Sequence, residues 1–315
     1  MFELLRQDLE NFEGRLKEEL VSSVAFIEAI GQELAGAGGK RLRPSLSFLA
    51  GRLLGADPEL TMRVALAVEL LHSASLLHDD LIDDAETRRG SEAAFRRYGN
   101  VVSVMSGDYL LARVLALLAA TENVPFTELM SRTAAGICEG EVLQFQAAVL
   151  ESYSFETYRR VIDGKTAVLV AAALEGVALV AGALAAEREA LREFGLRYGR
   201  AFQMQDDYLD LLGDEHILGK PVGGDLCEGK ATYPVLVLLE KGVEEASDIV
   251  RRHASEPGDI ERMIELVRLH GADRATRRMI EREARGAIEA LAPFPDTPAK
   301  GCLGLLAERE LERFQ

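Results

Sequence analysis

Several features that commonly direct a chain to a known chemistry are missing here. Net positive charge is absent: 36 Lys and Arg face 52 Asp and Glu, for a formal charge of −16. That excludes the basic footprint a phosphate backbone requires, so nucleic acid is not an expected partner. Cysteine is scarce. The three, Cys138, Cys227 and Cys302, are far apart and odd in number. They form neither a disulfide framework nor a metal-ligand spacing, and a reducing compartment fits them. Proline is also sparse, at nine, with four between Pro257 and Pro298. Period-two alternation is nearly absent, and so are Gly/Ser linkers and low-complexity tracts. No His-rich zinc site, nucleophile elbow, Gly-x-Gly-x-x-Gly or P-loop occurs. Met1 to Leu20 is polar and charged, unlike a secretory signal. Ala167 to Ala186 is apolar enough to resemble a membrane span. Glu175 and Gly176 interrupt it, and a buried central helix is expected instead of a transmembrane segment.

What is present reads as helix. Apolar residues recur at three- and four-residue spacing, as in Val64, Leu66, Ala67, Leu70, Leu71, Ala74 and Leu77. Breaks are expected at Gly36 to Gly39, Gly51 to Pro58, Asn123 to Pro125, Ser152 to Ser154, Gly213 to Gly229, Pro257 to Asp259 and Pro293 to Pro298. A chain of 315 residues can bury a large core. The pattern predicts an all-α fold in a single domain, residues 1 to 315.

Two strings then stand out. Asp79, Asp80 and Asp83 form Asp-Asp-x-x-Asp, and Asp206, Asp207 and Asp210 repeat it. Each ends a long apolar stretch. On a helix the first and last aspartates of each string share a face. Such carboxylates call for cations, and Mg²⁺ is the natural one, since it takes oxygen ligands and keeps substrate phosphates bound. Three basic clusters accompany them: Gly38 to Pro44 with Lys40, Arg41 and Arg43; Arg88 and Arg89; and Lys165 with Thr166. Each has an ordinary reading as helix start, surface pair or snorkelling lysine. In so acidic a chain, their combination with the two acidic strings suits Mg²⁺ plus diphosphate. Gly213 to Gly229, which follows the second string and leads to Lys230, reads as a lid or as a solvated loop.

Five strings in order, GGKRLRP from Gly38, LLHDDLIDDAETRRG from Leu76, DGKTA from Asp163, FQMQDDYLD from Phe202 and GKPVGGDLCEGKATYP from Gly219, resemble the trans-isoprenyl diphosphate synthases of the polyprenyl synthase family. The resemblance implies an all-α helical bundle around a deep central cavity, with the two acidic turns across its mouth. It implies condensation of an allylic diphosphate with isopentenyl diphosphate, head to tail. By position, Asp79, Asp83 and Asp206 would be the main Mg²⁺ ligands, with Asp80, Asp207 and Asp210 supporting, and about three ions would bind with diphosphate. Arg88, Lys165, Lys220 and Lys230 would hold the allylic diphosphate. Lys40, Arg43, His72 and Arg89 would hold isopentenyl diphosphate. Gln203 and Thr166 would lie beside the reacting carbons. The family is usually dimeric, so a homodimer is expected, and an accessory subunit is an alternative. A cytoplasmic enzyme is expected.

Ala74 and Ser75, one turn before Asp79, are small, where short-product relatives resemble this pattern with aromatics. The open volume predicts a product of roughly 30 to 50 carbons. Closure by Leu71 or Val68 would instead give about 20. Gly224 stands where relatives often have Gln, which bears on lid closure. A terpene cyclase would have an Asn/Ser second motif and lack Lys40 and Arg43. A squalene-type synthase would carry other acidic motifs and often a C-terminal anchor.

Overall fold

The structure is a computed structural model that describes residues 2–36, 41–85, 87–88, 91–215 and 221–312, with the side chains of Phe2, Arg88 and Ser91 left aside. The elements are α1 (Phe2–Glu19), α2 (Ala25–Gly36), α3 (Leu42–Leu54), α4 (Pro58–Ile82), a hairpin of β1 (Thr87–Arg88) and β2 (Ser91–Glu92), α5 (Ala94–Tyr98), α6 (Asn100–Thr121), α7 (Val124–Val149) and α8 (Phe155–Ile162). A π-helical turn (Asp163–Ala167) leads into α9 (Val168–Val180) and α10 (Ala185–Leu212). There follow α11 (Gly224–Cys227), α12 (Tyr233–Glu240), α13 (Glu244–Arg251), α14 (Asp259–Leu269), α15 (Ala272–Ala290) and α16 (Pro298–Glu312). The all-α expectation holds, with the two-residue strand pair as the departure.

The chain forms two compact units. The first is Met1–Ala134, Ala172–Arg192 and Phe294–Cys302; the second is Ala135–Ala171, Glu193–Pro293 and Leu303–Gln315.

In the first unit α4 is the central element, packed by α3, α6, α1 and α5. It starts where the sequence says it should. Asp57 accepts hydrogen bonds from the amides of Glu59 and Leu60, and Pro58 occupies the first turn. Its apolar run from Val64 to Leu71 is buried almost without interruption. A fully buried leucine in such a run contributes about 2 kcal/mol. Glycines let neighbours approach: Gly51 lies against Thr61, and Gly107 of α6 lies against His78. Ser47 donates to the Ala173 carbonyl, and Gly176 of α9 sits on Val64 and Phe126.

Helix α9 answers the question of the apolar stretch. Leu169 to Leu174, Val177 and Ala178 are buried within the protein, and the helix ends in a turn at Gly182 with φ 63°. Glu175 is held near Arg192 at 4.0 Å. Burial pushes its carboxyl above the ordinary range, against the pull of Arg192, Arg188 and Arg132. Two other helices, Pro58–Ile82 and Asn100–Thr121, are long and apolar enough to span a membrane by length and composition, and two-thirds of the first's most apolar window is buried.

In the second unit α12 packs against α15, α14, α13 and α8. Its core gathers Leu226, Leu238, Ile249, Met263 and Val267 on one side and Tyr158, Met204, Tyr208 and Ile280 on the other. The π turn is seated by glycines. A methyl on Gly164 would lie 2.5 Å from the Gly136 carbonyl oxygen, and one on Gly140 would lie 2.8 Å from the Lys165 amide nitrogen. Only hydrogen at these positions lets the two backbones meet.

Candidate active site

The first acidic string forms the last turn of α4. Asp79 is half-buried, Asp80 buried and Asp83 exposed. Asp83 caps the helix, its amide donating to the Asp79 carbonyl at 2.8 Å, and the Ala85 amide donates to the Asp80 carbonyl. This is the negative end of the helix dipole, where carboxylates are disfavoured unless a cation joins them. The turn is braced from α6: Ser103 donates to the Leu77 carbonyl, and His78 Nε2 lies 3.3 Å from the Val104 carbonyl and 3.6 Å from Asp108. His72, Ser75 and Asp79 lie at helical spacing on partly exposed positions of α4, while Leu71 and Ala74 are buried. The Ser75 hydroxyl turns back to the His72 carbonyl.

The basic turn divides its cations. Arg41, with a left-handed φ of 42°, points inward. Its guanidinium donates to both oxygens of Glu13, to Glu69 at 2.9 Å and to the Ala35 carbonyl. Arg41 therefore ties α1, α2 and α4 together, while Arg43 begins α3 half-buried. Lys40, Arg89 and Lys220 lie outside the described residues, and Arg88 is placed by its backbone in β1.

The second acidic string lies near the end of α10. Asp206 is half-buried, and Asp207 and Asp210 are buried. The loop that follows folds back onto it. The Asp225 amide donates to Asp210 Oδ2 at 3.0 Å and the Gly223 amide to the Asp210 carbonyl at 2.6 Å. The long irregular connection thus contains a helical turn, α11, set directly against the string. Lys230 pairs with Glu228, and its amide donates to the Asp225 carbonyl.

Asp207 is held from both sides. Tyr158 Oη donates to Oδ2 at 2.6 Å and Gln203 Nε2 to Oδ1 at 2.8 Å, while the Thr166 hydroxyl donates to Gln203 Oε1 at 2.6 Å. Burial, aided by the charges of Asp225 and Asp206, pushes the Asp207 carboxyl up to about 8. The π turn presents Lys165, whose ammonium meets Glu141 and, at 3.2 Å, Gln144. Asp163 at the start of that turn is gripped by Arg200 at 2.5 and 2.9 Å. A cavity of about 90 Å³ has Gln144, Lys165, Gln203, Asp207, Asp225 and Lys230 on its wall.

The donor set fits a hard divalent cation. Buried carboxylates set beside one another are relieved by a positive ion. Among the described residues no three His, Cys, Asp or Glu side chains could hold a metal by themselves. Mg²⁺ characteristically takes one or two carboxylates and completes its shell with water and substrate phosphate.

Glu141, Gln144, Tyr158 and the inward role of Arg41 had no signal in the sequence. Glu141 and Gln144 are three apart on an ordinary-looking helix, and Tyr158 lies in a short amphipathic one.

The sequence profile described as Polyprenyl synthetase matches residues 24–267. The octaprenyl diphosphate synthase of Escherichia coli is 36% identical over 315 residues, covering 99% of this chain and 97% of its own. Among solved structures, a decaprenyl diphosphate synthase from Rhodobacter capsulatus superposes with a TM-score of 0.93 at 36% identity, over 100% of this chain and 98% of its own. A polyprenyl synthase from Caulobacter crescentus, complexed with calcium and isoprenyl diphosphate, gives 0.91 at 38% identity over 100% and 96%. With a profile match over most of its length and relatives aligned end to end, the chain belongs to the polyprenyl synthetase family.

Proposed function

We propose that this prenyltransferase condenses an allylic diphosphate head to tail with isopentenyl diphosphate, in one catalytic domain, to give a long-chain all-trans polyprenyl diphosphate. The observation that carries the reading is the cavity beside the second acidic string, where Lys165 and Lys230 share one wall with Asp207 and Asp225. Cations and carboxylates side by side suit a diphosphate that arrives with metal ions. The octaprenyl and decaprenyl relatives support a long product. The calcium and isoprenyl diphosphate in the Caulobacter structure support a divalent ion with a diphosphate.

In this reading Asp79, Asp83 and Asp206 hold Mg²⁺, with Asp80, Asp207 and Asp210 behind them. Bound Mg²⁺ would neutralise charge on the diphosphate as the allylic C–O bond breaks. Arg88, Lys165, Lys220 and Lys230 hold the departing diphosphate, whose extra charge they stabilise as it develops. Lys40, Arg43, His72 and Arg89 hold isopentenyl diphosphate in line with the cationic carbon. Gln203 and Thr166 line that carbon, and apolar walls keep water from trapping it. The proton lost after condensation goes to the departing diphosphate. The protein acts as a homodimer. Helix α6 supports this, since Val101, Met105 and Leu115 lie along it 76%, 50% and 66% exposed. A clean monomer by light scattering would overturn the dimer.

The deciding experiment incubates the pure protein with Mg²⁺, labelled isopentenyl diphosphate and each of the dimethylallyl, geranyl, farnesyl and geranylgeranyl primers. Products beyond about 30 carbons are expected. Products that stop near 20 would keep the chemistry and move the pocket floor away from Ala74 and Ser75. No incorporation with any primer would overturn the reading for the chain acting alone. Ala74→Phe is expected to shorten the product by several isoprene units; an unchanged ladder would remove Ala74 from the wall of the chain-length pocket.

A further inference from the structure

Tyr158 has no role in the reading above, yet it starts a side-chain relay beside the second acidic string. Its hydroxyl donates to Asp207 Oδ2, Gln203 Nε2 donates to Asp207 Oδ1, and the Thr166 hydroxyl donates to Gln203 Oε1. The four groups belong to three different elements: α8, the π turn and α10. Tyr158, Asp207 and Thr166 are all less than 9% exposed. Tyr158 is itself fixed, with its ring edge-on to Tyr233 at 5.9 Å and packed among Ile162, Met204 and Ile280.

The direction of the bonds follows from the Gln203 carboxamide. Its NH₂ faces Asp207 Oδ1 and can only donate there. Its carbonyl oxygen then faces Thr166, and the Thr166 hydroxyl must donate to it. The Thr166 lone pairs are left pointing elsewhere, in a fixed orientation. What remains free is the rotation of the Asp207 carboxylate, and the Tyr158 hydroxyl stops it.

We propose that Tyr158 is a positioning residue for prenyl transfer: by occupying one oxygen of Asp207 it fixes the Gln203 carboxamide and, through it, the orientation of the Thr166 hydroxyl. The assignment rests on the functional reading given above, in which Gln203 and Thr166 border the reacting carbons. An oxygen dipole already oriented there needs no reorganisation when positive charge develops. Its loss falls on the chemical step and not on substrate capture.

The test is Tyr158→Phe, which removes only the hydroxyl. Thermal unfolding and helical content confirm that the variant folds. With Mg²⁺, isopentenyl diphosphate and the best primer, kcat is expected to fall about tenfold, the size one buried hydrogen bond carries. Both KM values stay near wild type. Repeated in an Asp207→Asn background, the substitution changes kcat little, because the route it acts through is already broken. Thr166→Val is the second variant should Tyr158→Phe fail to fold: it removes the hydroxyl at the other end of the relay, and kcat falls while KM holds. Wild-type kcat in Tyr158→Phe, or an equal loss in both backgrounds, would overturn the assignment. An equal rise in both KM values with kcat unchanged would do the same. A wild-type protein that transfers no prenyl group overturns the functional reading and the assignment together; an active wild type with an unaffected Tyr158→Phe overturns the assignment alone.

Discussion

The two Asp-Asp-x-x-Asp turns share a string and differ in nearly everything around it. The first ends its helix, leaves Asp83 in solvent and is braced from one side by α6 through Leu77 and His78. The second is enclosed. Asp207 and Asp210 are buried, one held by the side chains of Tyr158 and Gln203, the other by the amide of Asp225. A carboxylate at an exposed helix end keeps its hydration and reorients easily. A buried one keeps its charge only if donors or cations face it, so its geometry is set before any ligand arrives. One string is thus an open turn at a helix end and the other a preorganised wall.

The aspartates give the largest effect and the sharpest comparison. Asp79→Ala and Asp206→Ala should each lower kcat by about 10²–10³-fold, as should EDTA before Mg²⁺ is restored. Full turnover without divalent metal would end the metal reading. Stability then separates the two turns. Asp210→Ala should cost about 1–3 kcal/mol, because the part-buried Asp225 amide loses its acceptor. Asp83→Ala should stay within about 0.5 kcal/mol. Equal losses in chemical denaturation would erase the distinction between an open and an enclosed turn.

The glycines carry the next effect. Near the second string, a methyl on Gly164 meets a backbone oxygen at 2.5 Å, which cannot withdraw. Near the first, a methyl on Gly107 meets the tip of the His78 ring, which can rotate away. Gly164→Ala should therefore destabilise by about 1–3 kcal/mol. Gly107→Ala should melt closer to wild type, since some of the clash is offset by the better helix propensity of alanine. A reversed order of melting temperatures would show that the π turn is the more pliable contact.

Glu175 supplies the smallest effect and a reference for a buried carboxylate away from both strings. Burial raises its folded-state pKa above the unfolded value, despite Arg192. The folded protein therefore binds this proton more tightly than the unfolded chain. The stability it carries is present below the unfolded pKa and is lost as pH rises through the folded one. Glu175→Gln should melt higher than wild type at pH 8, with the gap narrowing toward pH 4. A gap that widens on acidification would mean that the Arg192 pair outweighs burial.

Much of this was legible in the residues. Three- and four-residue periodicity set the long helices. The break expected at Gly51 to Pro58 ends where α4 begins, and i, i+4 spacing put the outer aspartates of each string on one face. These are local properties, set by backbone geometry and short-range hydrogen bonding. The connection from Gly213 to Gly229 is largely irregular where it is described, with residues 216–220 outside the described residues; the one-turn helix at Gly224–Cys227, set against Asp210, was not legible. The break expected at Gly51 to Pro58 is present but shorter, since α3 runs on to Leu54 and Gly51 serves close packing against Thr61.

The sequence by itself determined an all-helical chain with two acidic turns and the cations to accompany them, because charge pattern and periodicity are written residue by residue. Only the tertiary structure decided that Arg41 turns inward to Glu13 and Glu69, that Lys165 meets Glu141 and Gln144, and that Tyr158 reaches Asp207. Those pairings join residues 21 to 49 positions apart, or 28 in the case of Arg41. Which polar groups meet across such distances depends on how helices pack and which glycines let them close, and one-dimensional spacing carries no record of it.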